Sequence, residues 1–323
     1  MKMNTRIWIY PLFLFILVIL TSSCSKDGTS SKKNPIITWA VPENISFETL
    51  LSATQLNAAA DVPGNFVYTP VIGTKLNVGA NQDLKVDFTP TDAVTYNTVS
   101  KKVNITVTAS ITVTDINGNV YKTVKIGTQV WMKENLKTTK YRNGNIIGTT
   151  TPATLDISDQ STPKYQWSYD GNESNVVTYG RLYTWYTITD SRGVCPTGWH
   201  VPTDAEWTTL TNFLTNNGYG YQGSGSDIAK SMAVTSGWKI STTAGQVGYD
   251  QVSNNSSGFT AFPTGFYYYN GTFSYMGNAG FLWSSSEYDM SNAWGQSMNY
   301  GNENVSRINY GKASGLPVRC LKD

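Results

Sequence analysis

The chain has 323 residues, with 24 Lys and Arg, 22 Asp and Glu and one His, so a leader carrying Lys2 and Arg6 would leave 22 charges of each sign. Charged residues make up only 14% of it, against about 25% in typical domains, and this balance excludes a basic stripe for nucleic acid or an anionic membrane. The single histidine, His200, leaves every zinc-type or Ser-His-Asp mechanism resting on one residue.

The N-terminus sets an address. Lys2 and Arg6 precede an apolar stretch over residues 7–20, and the small residues Thr21, Ser22 and Ser23 lead into Cys24, so residues 1–23 read as a signal peptide. That stretch is shorter than the about 20 residues that span a bilayer. The pattern resembles a bacterial lipoprotein signal and implies lipid at Cys24, with ordinary signal cleavage as the alternative. Residues 24–34 are rich in Ser and Lys and suit a flexible tether to the membrane. Lys26-Asp27 resembles the surface-export signal of Bacteroidetes lipoproteins. The expected place is therefore the outer membrane, facing outward, with inward-facing retention as the alternative.

Residues 35–109 show short alternating runs: Ile37-Thr38-Trp39, Phe66-Val67-Tyr68, Leu84 with Val86 and Phe88, and Val103 with Ile105 and Val107. Turn formers such as Val62-Pro63-Gly64 and Thr89-Pro90 separate them. Strands at this spacing predict a mainly β unit, a β-sandwich. The segment resembles the bacterial Ig-like repeats of surface proteins, whose role would be that of a rigid spacer.

A second domain is expected over residues 111–323. Asn117-Gly118 predicts a tight two-residue hairpin turn, and Val124, Ile126, Val130 and Trp131 flank another turn at Gly127. Within CPTGWHVPTDAEW, residues 195–207, Thr203 and Glu206 form a capping box for a helix. Trp207, Leu210 and Leu214 give that helix one buried stripe, and Gly218 ends it. Residues 220–258, rich in Gly, Ser, Thr and Asn, read as a long loop region of functional or mobile character. A hairpin with a turn at Asn270-Gly271 follows, then strands at residues 281–283, 293–300, 305–309 and 316–321. Cys195 and Cys320 are the cysteines left after Cys24, and parity in an exported protein predicts their disulfide.

The runs GNVYKTVKIGTQVWMKENLKTTKYRNG, YGRLYTWYTI, GVCPTGWHVPTDAEWTTLTNFL, FLWSSSEYD and GLPVRCLKD together resemble the Fibrobacter succinogenes major paralogous domain of Bacteroidetes and Fibrobacteres surface proteins. That domain is in turn similar to the C-type-lectin-like and formylglycine-generating-enzyme group. The resemblance implies an α+β C-type-lectin-like fold of short antiparallel strands with at least one capped helix, in a module without an assigned activity.

Chemistry is sparse. His200, between Trp199 and Val201, reads as packed and hydrogen-bonded, and Cys195 and Cys320 lack the CxxC spacing or basic surroundings of reactive thiols. Asp250, Glu287 and Asp289 are carboxylates a calcium ion would accept, but no regular ligand spacing supports one, and no metal or other cofactor is expected. Aromatics are the remaining candidates: on the strand of residues 266–269, Phe266 and Tyr268 face one way and Tyr267 and Tyr269 the other. Tyr267 and Tyr269, with Trp238 and Tyr249 from the long loop, are the expected ligand surface. The expected function is a surface-anchored binding or adhesion module for a glycan or a surface protein, not an enzyme. A structural envelope component is the alternative.

Overall fold

The computed structural model describes residues 31–323 apart from Glu48, Ser110 and Ser224. The leader, Cys24 and the Lys26-Asp27 pair lie outside the described residues.

In the first part of the chain, period-two patterns become strands with one face in a core. β1 (Ile37–Thr38), β2 (Ile45–Ser46), β3 (Ala59–Ala60), β4 (Gly64–Thr69), β5 (Gly79–Pro90) and β6 (Val99–Thr108) form a four-stranded sheet in the order β2-β6-β5-β4 and a two-stranded sheet, β1-β3. Leu84 and Val86 of β5 and Val103, Ile105 and Val107 of β6 are buried and pack with Trp39, Leu51 and Leu56. The alternation works because successive side chains of a strand point to opposite faces. This unit also takes up the end of the expected tether. The Lys33 amide donates to the Thr95 carbonyl at 2.9 Å, and Asn97 donates back to the Lys33 carbonyl at 2.9 Å.

The remainder is mainly β as well, with short helices. Its elements in chain order are β7 (Thr112–Thr114), β8 (Val120–Ile126), β9 (Gln129–Met132), β10 (Gln166–Trp167), α1 (Ser174–Tyr179), β11 (Leu182–Thr184), α2 (Trp185–Ile188), β12 (Trp199–His200), α3 (Asp204–Asn216) and α4 (Ala229–Met232). They continue as β13 (Thr264–Tyr268), β14 (Thr272–Met276), β15 (Ala279–Glu287), β16 (Asn292–Asn299), β17 (Ser306–Gly311), β18 (Gly315–Pro317) and β19 (Leu321–Lys322). One sheet runs β12-β19-β9-β8-β7, a second β10-β11-β18-β13-β14, and a third β15-β16-β17.

Three expectations change here. The first hairpin has a five-residue loop, because Thr114 pairs with Val120. The Asp115 carboxylate accepts from the amides of Asn117 and Asn119 at 2.9 and 3.0 Å, and only Gly118 takes a positive φ, of 83°. A side-chain acceptor organises the turn in place of a tight two-residue backbone turn.

The expected terminal strand at 316–321 is two strands in two sheets. β18 pairs with β11 and β13, and β19 pairs with β12 and β9. Between them the backbone still bonds outward: the Leu136 amide donates to the Val318 carbonyl at 2.8 Å and the Met132 amide to the Cys320 carbonyl at 3.1 Å.

The long segment over residues 220–258 is packed rather than loose. Ile228, Ala229, Met232, Trp238 and Val247 enter the core that holds the α3 stripe of Trp207, Leu210 and Leu214. Its irregular backbone is satisfied by side chains, as buried polar groups require. Asn254 Nδ2 donates to the carbonyls of Val234 and Val247, both at 3.1 Å, and Gln251 Nε2 donates to the Trp238 carbonyl at 2.7 Å. Lys230 donates to the carbonyls of Tyr249 and Asp250 and to Asn254 Oδ1. Burial lowers the pKa of that lysine, with the Asp250 charge opposing.

Candidate functional site

The densest motif, residues 195–207, builds structure. Cys195 and Cys320 form a disulfide with Cα atoms 6.0 Å apart across 125 residues of sequence. Both cysteines lie in a core with Tyr121, Trp199, Phe281 and Trp283. At the start of α3, Thr203 Oγ1 accepts from the Glu206 amide at 3.3 Å, and Glu206 Oε2 accepts from the Thr203 amide at 2.8 Å. The other carboxylate oxygen of Glu206 meets His200 Nε2 at 2.9 Å, while His200 Nδ1 meets the Asp323 carboxylate at 2.6 Å. Burial alone would lower the His200 pKa, but the two carboxylates outweigh it and the net direction is upward. His200 therefore ties the last residue of the chain to the helix cap.

The four aromatic candidates do not assemble. Trp238 is only 4% exposed, in the core that also holds the α3 stripe, while Tyr267 is fully buried in a separate core with Trp167, Ile157 and Leu182. Tyr267 stacks on Trp167 at 4.1 Å between ring centroids. Neither ring is accessible to a ligand, which corrects the expected surface. The alternation of β13 holds, but both of its faces are covered: Phe266 is buried in the core of the disulfide and Tyr267 in a separate one, so only Tyr268, at the end of the strand, is exposed. Tyr249 is 37% exposed on the long segment, and Tyr269 is half-buried just past the end of β13.

The exposed rings of this hairpin are Tyr268 and Tyr275. They are 37% and 52% exposed, on the two strands of one hairpin whose register pairs Phe266 with Ser274 and Tyr268 with Thr272. Beneath them Phe266 is the hub: its ring centroid lies 5.8 Å from that of Tyr275 in a stacked arrangement, and 5.1 Å from both Phe281 and Tyr310. Tyr268 stacks on Tyr269 at 4.3 Å and its hydroxyl donates to that of Tyr269 at 3.0 Å. That shared hydrogen bond raises the pKa of Tyr269. The result is a shelf of tyrosine rings with hydroxyls at the rim and a phenylalanine base, seated on paired strands. Two alternating tyrosines look the same in the sequence whichever face turns outward, and Tyr310 is distant in sequence. Only the hairpin's position over the core distinguishes them.

The carboxylates considered for calcium do not converge. Glu287 pairs with the buried Lys312 ammonium at 3.0 Å. Asp289 closes a turn by accepting from the amides of Ser291 and Asn292 at 2.8 and 2.7 Å, and the Asn292 side-chain amide, with those backbone bonds, holds its pKa down. Asp250 sits in a left-handed conformation at the start of a short 3-10 turn. Among the described residues, no three His, Cys, Asp or Glu side chains gather as metal ligands do.

No curated protein and no solved structure matches the chain. A family model, that of the Fibrobacter succinogenes major domain, matches residues 124–322, from β8 to the last strand and well over half of the chain. On that match, the chain belongs to the Fibrobacter succinogenes major domain family.

Proposed function

We propose that this protein is an outer-membrane lipoprotein, anchored through Cys24 and displayed outward, that acts as a binding or adhesion module for glycan or protein ligands. In this reading residues 35–109 form an Ig-like sandwich that serves as a spacer. The C-type-lectin-like domain of residues 111–323 presents the ligand surface. The observation that carries the reading is the tyrosine shelf of Tyr268 and Tyr275 on Phe266. Exposed aromatic rings with polar rims are the side chains most enriched at the energetic centres of recognition surfaces. Holding them on paired strands lowers the ordering cost of binding.

The test is a broad glycan and host-matrix array probed with the full-length protein, with and without calcium. Tyr268→Ala and Tyr275→Ala are each expected to weaken whatever ligand is found by at least about 1 kcal/mol, roughly fivefold or more. An array on which the wild-type protein binds nothing would leave the structural envelope role as the better account.

A further inference from the structure

A polar cleft lined from the segment before β10, from β10 and from Arg181 just before β11 is used by nothing described so far. It has a volume of about 280 Å³, and its walls include Thr149, Ala153, Gln166, Ser168, Glu173 and Arg181. That size is near the lower end of the roughly 300–1,000 Å³ of ligand clefts and suits a single small ring. Its floor is rigid: the Trp167 indole, stacked on Tyr267, donates to Thr150 Oγ1 at 2.8 Å.

Arg181 organises the polar wall. Gly180 precedes it at φ 74°, where a Cβ would stand 2.7 Å from Asn135 Cβ, so only glycine lets the chain bring Arg181 in against that segment. The guanidinium then donates through Nε to the Lys137 carbonyl at 3.1 Å, and through Nη1 to Gln166 Oε1 at 2.9 Å and Glu173 Oε1 at 3.0 Å, while Nη2 meets Glu173 Oε2. The bond from Arg181 decides which way the Gln166 amide points. Its oxygen is taken, so both Nε2 hydrogens remain as donors on the cleft wall, with no protein acceptor among the described residues. The Glu173 side chain is 67% exposed, and a carboxylate has about four acceptor positions, of which Arg181 occupies two and the Ser168 side chain takes another. Arg181 Nη1 thus holds one oxygen of the Gln166 amide and one of the Glu173 carboxylate, so the largely buried Gln166 amide and the exposed Glu173 carboxylate line the same cleft wall.

A hydroxyl group both donates and accepts, so two adjacent hydroxyls on one ring can accept from the Gln166 amide and donate to Glu173. The arginine charge is already neutralised by Glu173, which leaves no net attraction for an anion and sets a carboxylate against any acidic sugar. A second cleft, of about 210 Å³ beside Cys195, lacks these features. Its Arg142 donates to the carbonyls of Cys195 and Trp199, and its Asp115 is consumed by Asn117, Asn119 and Tyr121.

Resting on the binding-module reading, we propose that the Gln166–Glu173 cleft is a calcium-independent site for one neutral sugar ring, gripped through a pair of adjacent hydroxyls. The experiment is nitrogen-15 NMR of the full-length protein titrated with methyl glycosides of neutral hexoses and with a uronic acid, in EDTA. The Gln166 side-chain amide signal, assigned by its loss in Gln166→Leu, should shift with at least one neutral glycoside and not with the acid. Gln166→Glu keeps the acceptor for Arg181 but removes both donors, and should weaken binding about tenfold, as expected for the loss of two hydrogen bonds, with the fold intact. An unmoved amide signal, a response to the uronic acid alone, or a dependence on calcium would overturn the proposal. Array binding that falls with Tyr268→Ala but not with Gln166→Glu would overturn this site while leaving the tyrosine shelf standing. No binding in either experiment would remove both.

Discussion

His200 shows how one side chain in the most conspicuous motif turns out to be structural. Its two nitrogens are engaged by Glu206 and Asp323, the last residue of the chain. Its folded pKa is raised above the ordinary value of 6.5 because the carboxylates outweigh burial. A raised folded pKa means the stabilisation is fully present below the unfolded value and is lost as pH rises through the folded one. The His side chain is 36% exposed, so the effect is modest. The melting temperature of the wild type should exceed that of His200→Gln at about pH 6, and the gap should narrow as the pH rises through the raised folded pKa. A gap that is constant across that range would show that the imidazolium pairing contributes nothing. At this scale much was legible. A capping box is a matter of four consecutive residues, and cysteine parity is a count. The tyrosines were not, because alternation alone is symmetric between the two faces of a strand.

At the scale of the element, the terminal run shows what periodicity misses. Residues 316–321 alternate like one strand, but the chain leaves one sheet after Pro317 and joins another at Leu321. The residue at the crossing is Arg319, fully buried. It donates to the carbonyls of Phe259 and Thr260 and to Asn135 Oδ1, and lies over the Phe259 ring at 4.3 Å. Burial pulls its pKa down to about 9, with the Glu134 charge opposing, so it remains a cation at neutral pH. Replacing a buried charge with an apolar residue relieves desolvation. Here, however, it would also orphan two buried acceptors and a partly buried one, each buried acceptor worth about 1–3 kcal/mol. The second effect should win: Arg319→Met is expected to lower unfolding free energy by about 2 kcal/mol or more in urea denaturation. Arg319→Lys should not restore it, because an ammonium lacks the planar fork that reaches several acceptors at once. A neutral or stabilising Arg319→Met would mean the desolvation term dominates. The long segment at 220–258 teaches a related lesson, since its polar composition suggested a loose loop while Asn254, Gln251 and Lys230 spend that polarity on fixing the backbone.

For the whole molecule, the cores divide in a way that can be measured. The core around Trp39 and Leu84 draws only on residues before β7, whereas the cores holding Trp199, Trp207 and Trp167 draw only on later ones. Calorimetry should therefore show two unfolding transitions. The disulfide closes a loop of 125 residues within the later part, and the chain-entropy model assigns such a closure about 4–5 kcal/mol as an upper figure. Reduction should lower one transition and leave the other where it was. A single transition, or two that shift together on reduction, would contradict the division at residues 109–111. The sequence by itself determined the mainly β character, the capped helix, the cysteine pair and the family, because alternation, capping and parity are local or countable properties. Tertiary structure decided which tyrosines face outward, that Trp238 is core, and that Gln166, Glu173 and Arg181 share one cleft wall. Burial and convergence depend on partners such as Leu136 and Trp167, brought close only when the sheets pack.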